Sequence, residues 1–284
     1  MIRSMYSPKN GLRDHDLSAD QIHEALQNPE GLLWISLDNP DEKELISVLR
    51  DVFHFHPLAI EDCIGGDYQS PKVDDYGDYL FIIMHALKIV GNVEKLDTVE
   101  VNCFLGANYV VTSYQTPKLK PIDDVWDRIT RDERLVNRGA DFLCHGILDA
   151  VIDDYFPLLD EMDEEVELLE DSVLTVPRPV TLSRILDLKH ITMELRRVVN
   201  PQREVMNRLS RDDFPQIDRQ SRIYYRDIYD HLVRIQEFTD SIRDLISDAL
   251  STYLSVTSNR MNEIMKALTI VSTIFLPLSF VAGN

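Results

Sequence analysis

The chain has 284 residues, with 49 Asp and Glu against 29 Lys and Arg and a formal charge of −20. That length suits an α/β domain joined to an extended helical part better than one core. The acidic excess excludes a nucleic-acid binder, which needs clustered Lys and Arg to meet phosphates, and leaves cations or basic surfaces as partners.

Residues 1–17 mix Arg3, Lys9, Arg13 and Asp14 with polar groups and contain no apolar run of signal-peptide length. Short apolar runs at 32–37, 79–87, 99–105 and 109–114 then alternate with helix-like segments at 41–53 and 122–130, an α/β pattern. Asn39 reads as a helix N-cap, with Pro40 at the first helical position and Asp41 and Glu42 favoured by the helix dipole. His54 and His56 alternate about Phe55, as on an extended segment. Cys63, Cys103 and Cys144 form no CxxC or Cys/His cluster and read as reduced core thiols. No Gly-rich phosphate loop, GxSxG elbow or HExxH pair is present, so the protein is expected not to be an enzyme.

Long helices take over from about residue 141. Leu148, Ile152, Tyr155, Leu159, Met162, Val166, Leu169 and Val173 recur at steps of three or four, the seam of one helix packed on another. Pro177 and Pro179 break the chain, and a second helix over about 182–209, bent near Pro201, returns to form an antiparallel hairpin. Between Pro215 and Pro277 there are 61 residues without Gly or Pro. Within them Tyr225, Ile228, Leu232, Ile235, Thr239, Ile242, Ile246, Ala249, Tyr253 and Val256 form a heptad seam on a rod of roughly 90 Å. A rod that long is expected to pack on its own hairpin, on copies of itself, or both. The 17 residues from Ala267 to Gly283 carry no charge, reach the lower limit of a membrane span, and follow Arg260 and Lys266. The preceding 260 or so residues are therefore expected in the cytoplasm, and a chain that stops in its most apolar segment reads as truncated. The organisation is an α/β cytoplasmic domain (1–140), an acidic helical hairpin (141–214), a coiled-coil-like stalk helix (215–266) and the start of a transmembrane helix (267–284).

Asn262, Met265, Thr269, Ser272, Leu276, Ser279 and Gly283 share one helical face. Such a stripe means either tight helix packing or a pore, with Asn262 an amide ring, Met265 and Leu276 apolar constrictions, and Ser272 and Ser279 hydroxyls for a hydrated ion. Eleven acids and no Lys or Arg lie between Asp149 and Asp171. They form a solvated face or concentrate cations near a channel mouth, where magnesium is held by carboxylates through its water shell. His231 has no second His or Cys one turn away and is given no role.

From about residue 34 onward the chain resembles the CorA family of magnesium and cobalt channels. The likeness rests on His56-Pro57-Leu58-Ala59-Ile60-Glu61-Asp62, on Pro71-Lys72-Val73 with Tyr76 and Tyr79, and on the run from Leu148 to Phe156. Tyr225-Arg226-Asp227-Ile228-Tyr229-Asp230-His231 and the run from Ser258 through Asn262 and Met265 to Ile270 complete it. The resemblance implies a homopentamer in the inner or plasma membrane of a prokaryote, passing Mg2+ and also Co2+ or other divalent cations. It adds Leu268 as an apolar pore collar, and it places regulatory Mg2+ between subunits, where Asp227 faces Asp62 and Glu61 of a neighbour with Asp149 close by. Bound Mg2+ is expected to close the pore as negative feedback. The family's Gly-Met-Asn signature would follow Ala282-Gly283, where this sequence stops at Asn284. A zinc-transporting relative and a membrane-tethered coiled-coil scaffold remain the alternatives.

Overall fold

The computed structural model describes residues 1–9, 14–65, 68–90, 95–131, 138–175 and 178–282; the readings at Arg13, Pro177, Gly283 and Asn284 lie outside the described residues. In chain order β1 (Ile2–Ser7) and β2 (Asp14–His15) precede α1 (Ala19–Gln27), β3 (Leu32–Asp38), α2 (Glu42–Ile46) with a π-helical turn at Ser47–Val52, and α3 (Pro57–Ile64). Then come β4 (Lys72–Asp75), β5 (Leu80–Val90), β6 (Lys95–Leu105), β7 (Tyr109–Tyr114) and α4 (Lys120–Arg131). The rest is helical: α5 (Ala140–Asp153), α6 (Phe156–Thr175), α7 (Pro179–Arg211) and α8 (Arg222–Ala282).

The strands make one sheet in the order β2-β1-β3-β7-β6-β5-β4, with β3 and β7 parallel and the other pairs antiparallel. Side chains alternate across it with period two. Leu33, Ile35, Leu37, Phe81, Ile83 and Phe104 join α1, α2 and α3 in one core. Trp34, Leu80, Ile82, Met84, Val101 and Cys103 face the other way, into a core continuous with α4 to α8 and reaching Tyr253. Burial on both faces explains why β3 reads as an unbroken apolar run.

The structure corrects four local readings. The cap of α2 is Asp41, whose carboxylate accepts the Glu44 N–H while Glu44 returns a bond to the Asp41 N–H; Asn39 instead turns left-handed at φ 47° and donates its N–H to the Tyr114 carbonyl. His54 is also left-handed, at φ 54°, and His56 caps α3 by accepting the Leu58 N–H, so this stretch is no extended strand. The seam from Leu148 to Val173 is not one helix, because the chain turns between α5 and α6 at Asp154–Tyr155. Finally, α8 starts at Arg222: Phe214 and Ile217 are buried in the preceding turns, where Gln216 donates to the Gly77 carbonyl and the Asp218 N–H to Asp141.

The break at Tyr155 has a purpose in packing. Its ring is fully buried and its hydroxyl donates to the His85 carbonyl at 2.7 Å, while Gln202 of α7 donates to the same hydroxyl and accepts the His85 N–H. Beyond the reach of β4, two side chains thus satisfy the β5 backbone and weld sheet to helices.

α7 runs antiparallel to both α6 and α8: Glu165 meets Arg184, Ser172 meets Thr181, Arg196 meets Asp240, and Arg203 meets Gln236. The α8 seam is buried from Tyr225 to Tyr253, with Val256 half-buried. At its foot His145 of α5 is buried among Phe142, Tyr224 and Tyr225 with Nδ1 unpartnered, and burial pushes its pKa down to about 4. From Ser258 to Phe280 every residue of α8 is exposed, and the helix continues through Pro277.

Replacing Gln202 with Leu strands the His85 N–H, while the Tyr155 hydroxyl keeps its bond to the His85 carbonyl, and should cost about 1–3 kcal/mol, read by urea denaturation. The pKa of His145 is depressed on folding, so its neutral form contributes stability that is full above about pH 6.5 and lost as pH falls toward about 4. His145→Gln should flatten the stability profile across that window.

Candidate metal centre and pore helix

Residues four apart share a helix face. On α5 this places His145, Asp149 and Asp153 in one row, and on α8 it places Asp227 beside His231. Where the rows meet, Asp149, Asp153 and His231 bring ligand atoms within 4.8 Å of one another. His231 Nδ1 lies 3.2 Å from Asp153 Oδ1, and its Nε2 lies 4.0 Å from Asp227 Oδ2. Burial first, then the charges of Asp153 and Asp227, push the Asp149 carboxyl up to about 6, against the opposing pull of His231 and Arg128. Carboxylates held together at that cost are relieved by a cation, and two carboxylates with an imidazole can ligate one.

Glu61 and Asp62 lie elsewhere. Both are on α3, which covers the opposite sheet face from α5 and α8. Glu61 is exposed, and Asp62 pairs with Lys72 at 2.7 Å, a lysine that also holds Asp74 at 2.8 Å. Asp227 is 68% exposed at its side chain. One copy of the chain therefore unites Asp149 with Asp227 but keeps both from Glu61 and Asp62.

Sequence spacing gives His231 no role, because no second His or Cys lies one turn away, and sets Asp153 only among the eleven acids between Asp149 and Asp171. The usable signal was a carboxylate one turn away on the same helix, Asp227, together with the Asp149–Asp153 pair on the helix packed against it.

Asn262, Met265, Leu268, Thr269, Ser272, Leu276 and Ser279 all lie on the bare end of α8. Thr269 donates its hydroxyl to the Met265 carbonyl at 2.8 Å and Ser279 to that of Phe275 at 2.7 Å. Each hydroxyl hydrogen is thus spent inside the helix and the oxygen lone pairs point outward, an acceptor surface suited to cations and their water. Met261, Ile264, Ile270, Val271, Ile274, Phe275, Leu278 and Phe280 add exposed apolar side chains around the helix. This end is long and apolar enough to cross a membrane.

Comparison with known proteins agrees with this architecture. The chain is 37% identical over 273 residues to the putative metal ion transporter YfjQ of Bacillus subtilis, covering 95% of this chain and 83% of that protein. It is 37% identical over 256 residues to the cobalt/magnesium transport protein CorA of Thermotoga maritima, covering 88% and 71%. A zinc transport protein ZntB of Pectobacterium carotovorum is 24% identical over 90% of this chain and 76% of its own. Among solved structures, the CorA magnesium transporter of Methanocaldococcus jannaschii superposes with a TM-score of 0.82 at 21% identity, over 99% of this chain and 86% of that one. Full-length CmaX gives 0.84 at 21% identity, over 99% and 85%. The family described as CorA-like Mg2+ transporter protein matches residues 29–284, and this chain belongs to it.

Proposed function

We propose that the chain is the cytoplasmic sensing part and pore-lining helix of a homo-oligomeric channel for hydrated divalent cations, Mg2+ foremost and Co2+ beside it. The observation that carries this is α8: one continuous 61-residue helix that is packed below and bare above. Copies arranged in a ring, five by the family resemblance, turn Asn262, Met265, Leu268, Thr269, Ser272, Leu276 and Ser279 into successive collars. The helix enters a prokaryotic plasma membrane from the cytoplasm, with Arg260 and Lys266 on the inner side.

Regulation follows from the split of the acids. A ring brings Glu61 and Asp62 of one copy against Asp227 and Asp149 of the next, where their repulsion requires a divalent ion. Mg2+ then favours the closed arrangement by its higher affinity for it, so that intracellular Mg2+ limits its own entry. A zinc-transporting role is the second reading. It is favoured by His231, whose imidazole suits zinc better than magnesium, and by the ZntB relatives.

Proteoliposomes containing the protein and a Mg2+-sensitive dye should show saturable uptake that Asn262→Leu abolishes; zinc uptake without magnesium uptake would favour the second reading. Magnesium should protect the oligomer from proteolysis, and the double variant Asp62→Ala, Asp227→Ala should lose that protection. Protection unchanged in the variant would rule out those carboxylates as the sensor.

A further inference from the structure

Lys72 and Asp74 are alternate residues of β4 and share a face of the sheet, where their partners across the ladder are Ile83 and Phe81 of the core beneath α3. Lys72 Nζ lies 5.6 Å from the centre of the Phe81 ring. Its ammonium touches two acids at once, Asp62 Oδ2 on α3 at 2.7 Å and Asp74 Oδ2 at 2.8 Å. The side chains of Asp62 and Lys72 are only 23% and 35% exposed, so water and salt screen the pair incompletely. Burial works against the ammonium, but the two carboxylates more than offset it and raise the Lys72 pKa, so the charge is permanent near neutral pH. A fixed cation thus already occupies a carboxylate assigned above to the sensor.

We propose that Lys72 is a resident competitor for the divalent ion at Asp62, with Asp74 as a second seat that lets it yield, and that the pair sets the ion concentration at which the sensor responds. This deepens the sensor reading above and rests on it, adding two residues that regulate the site without ligating the ion. An ammonium hydrogen-bonded to a carboxylate repels an ion arriving at the same carboxylate, and repels a divalent ion twice as strongly as a monovalent one. With Asp62 as its only partner, the lysine would be left as a half-buried, unpaired charge on release. Because Asp74 holds the same nitrogen, the ammonium gives up one bond and keeps the other. The threshold of response is then set by the difference between two affinities of Asp62, for the tethered ammonium and for the ion, and Asp74 lowers the first.

The test is the magnesium concentration that gives half-maximal protection of the assembled protein from proteolysis. Lys72→Met should lower this midpoint by about three- to tenfold, and Asp74→Asn should raise it, since the lysine then clings to Asp62 alone. A change of net charge near the site would move the midpoint in the same directions, so the deciding protein is the double variant Lys72→Met, Asp74→Asn. It carries the net charge of the unaltered protein but no competitor, and its midpoint should stay as low as that of Lys72→Met. A double-variant midpoint restored to the unaltered value, or a Lys72→Met midpoint that is unchanged or raised, overturns the competitor and leaves the sensor standing, provided that Asp62→Ala with Asp227→Ala still abolishes protection. Protection that survives those two alanines overturns the sensor reading and the competitor with it. Urea denaturation without magnesium checks that each variant is folded, and Lys72→Gln takes the place of Lys72→Met where the methionine variant unfolds.

Discussion

The constraint on which the rest of the structure depends is the continuity of α8. In lipid no water is available to an unpaired backbone group, so a helix that enters the membrane must satisfy its own amides. In water the same helix must bury a seam or be marginal by itself. α8 does both in succession, and the change falls near Tyr253, where the core formed with α6 and α7 ends. There is no break in the helix between the two regimes.

The foot is where the sheet domain, α5 and α8 converge, and it is held by different physics from the rest. Apolar packing fixes Tyr225 and Ile228, while Asp141 ties the turn before α8 through the Asp218 N–H and, by its carbonyl, accepts the Tyr225 hydroxyl. Beside these fixed points sits an electrostatic imbalance: Asp149, Asp153 and Asp227 gathered around His231, with the Asp149 carboxyl pushed up by burial and by its neighbours.

Much of this was legible in the residues. The heptad seam of α8 could be read because a helix packed on one side imposes a 3,4 period, and each of its positions from Tyr225 to Tyr253 is buried. The bare apolar end could be read because lipid demands a run without charge. The Leu148–Val173 seam hid a break for the same reason that made it visible: Tyr155 keeps the apolar spacing while the backbone turns, since its ring fills the core and its hydroxyl is needed at His85. The α2 cap was misplaced by two residues because Asn39 and Asp41 are both good caps, and only the pairing of β3 with β7 decides that Asn39 ends a strand. The gathering of Asp149, Asp153 and His231 was only half legible, for these residues come from two helices whose relative position no single-helix pattern specifies.

One detail of α8 bears on how such a rod lives in a bilayer. Pro277 has no amide hydrogen, so the carbonyl of Thr273, four residues earlier, loses its ordinary helical donor. In hydrocarbon that oxygen would be stranded at a cost of several kcal/mol. The proline is therefore tolerable where a local 3₁₀ or π adjustment, a hydroxyl side chain, a water or a neighbouring helix supplies that oxygen with a substitute donor.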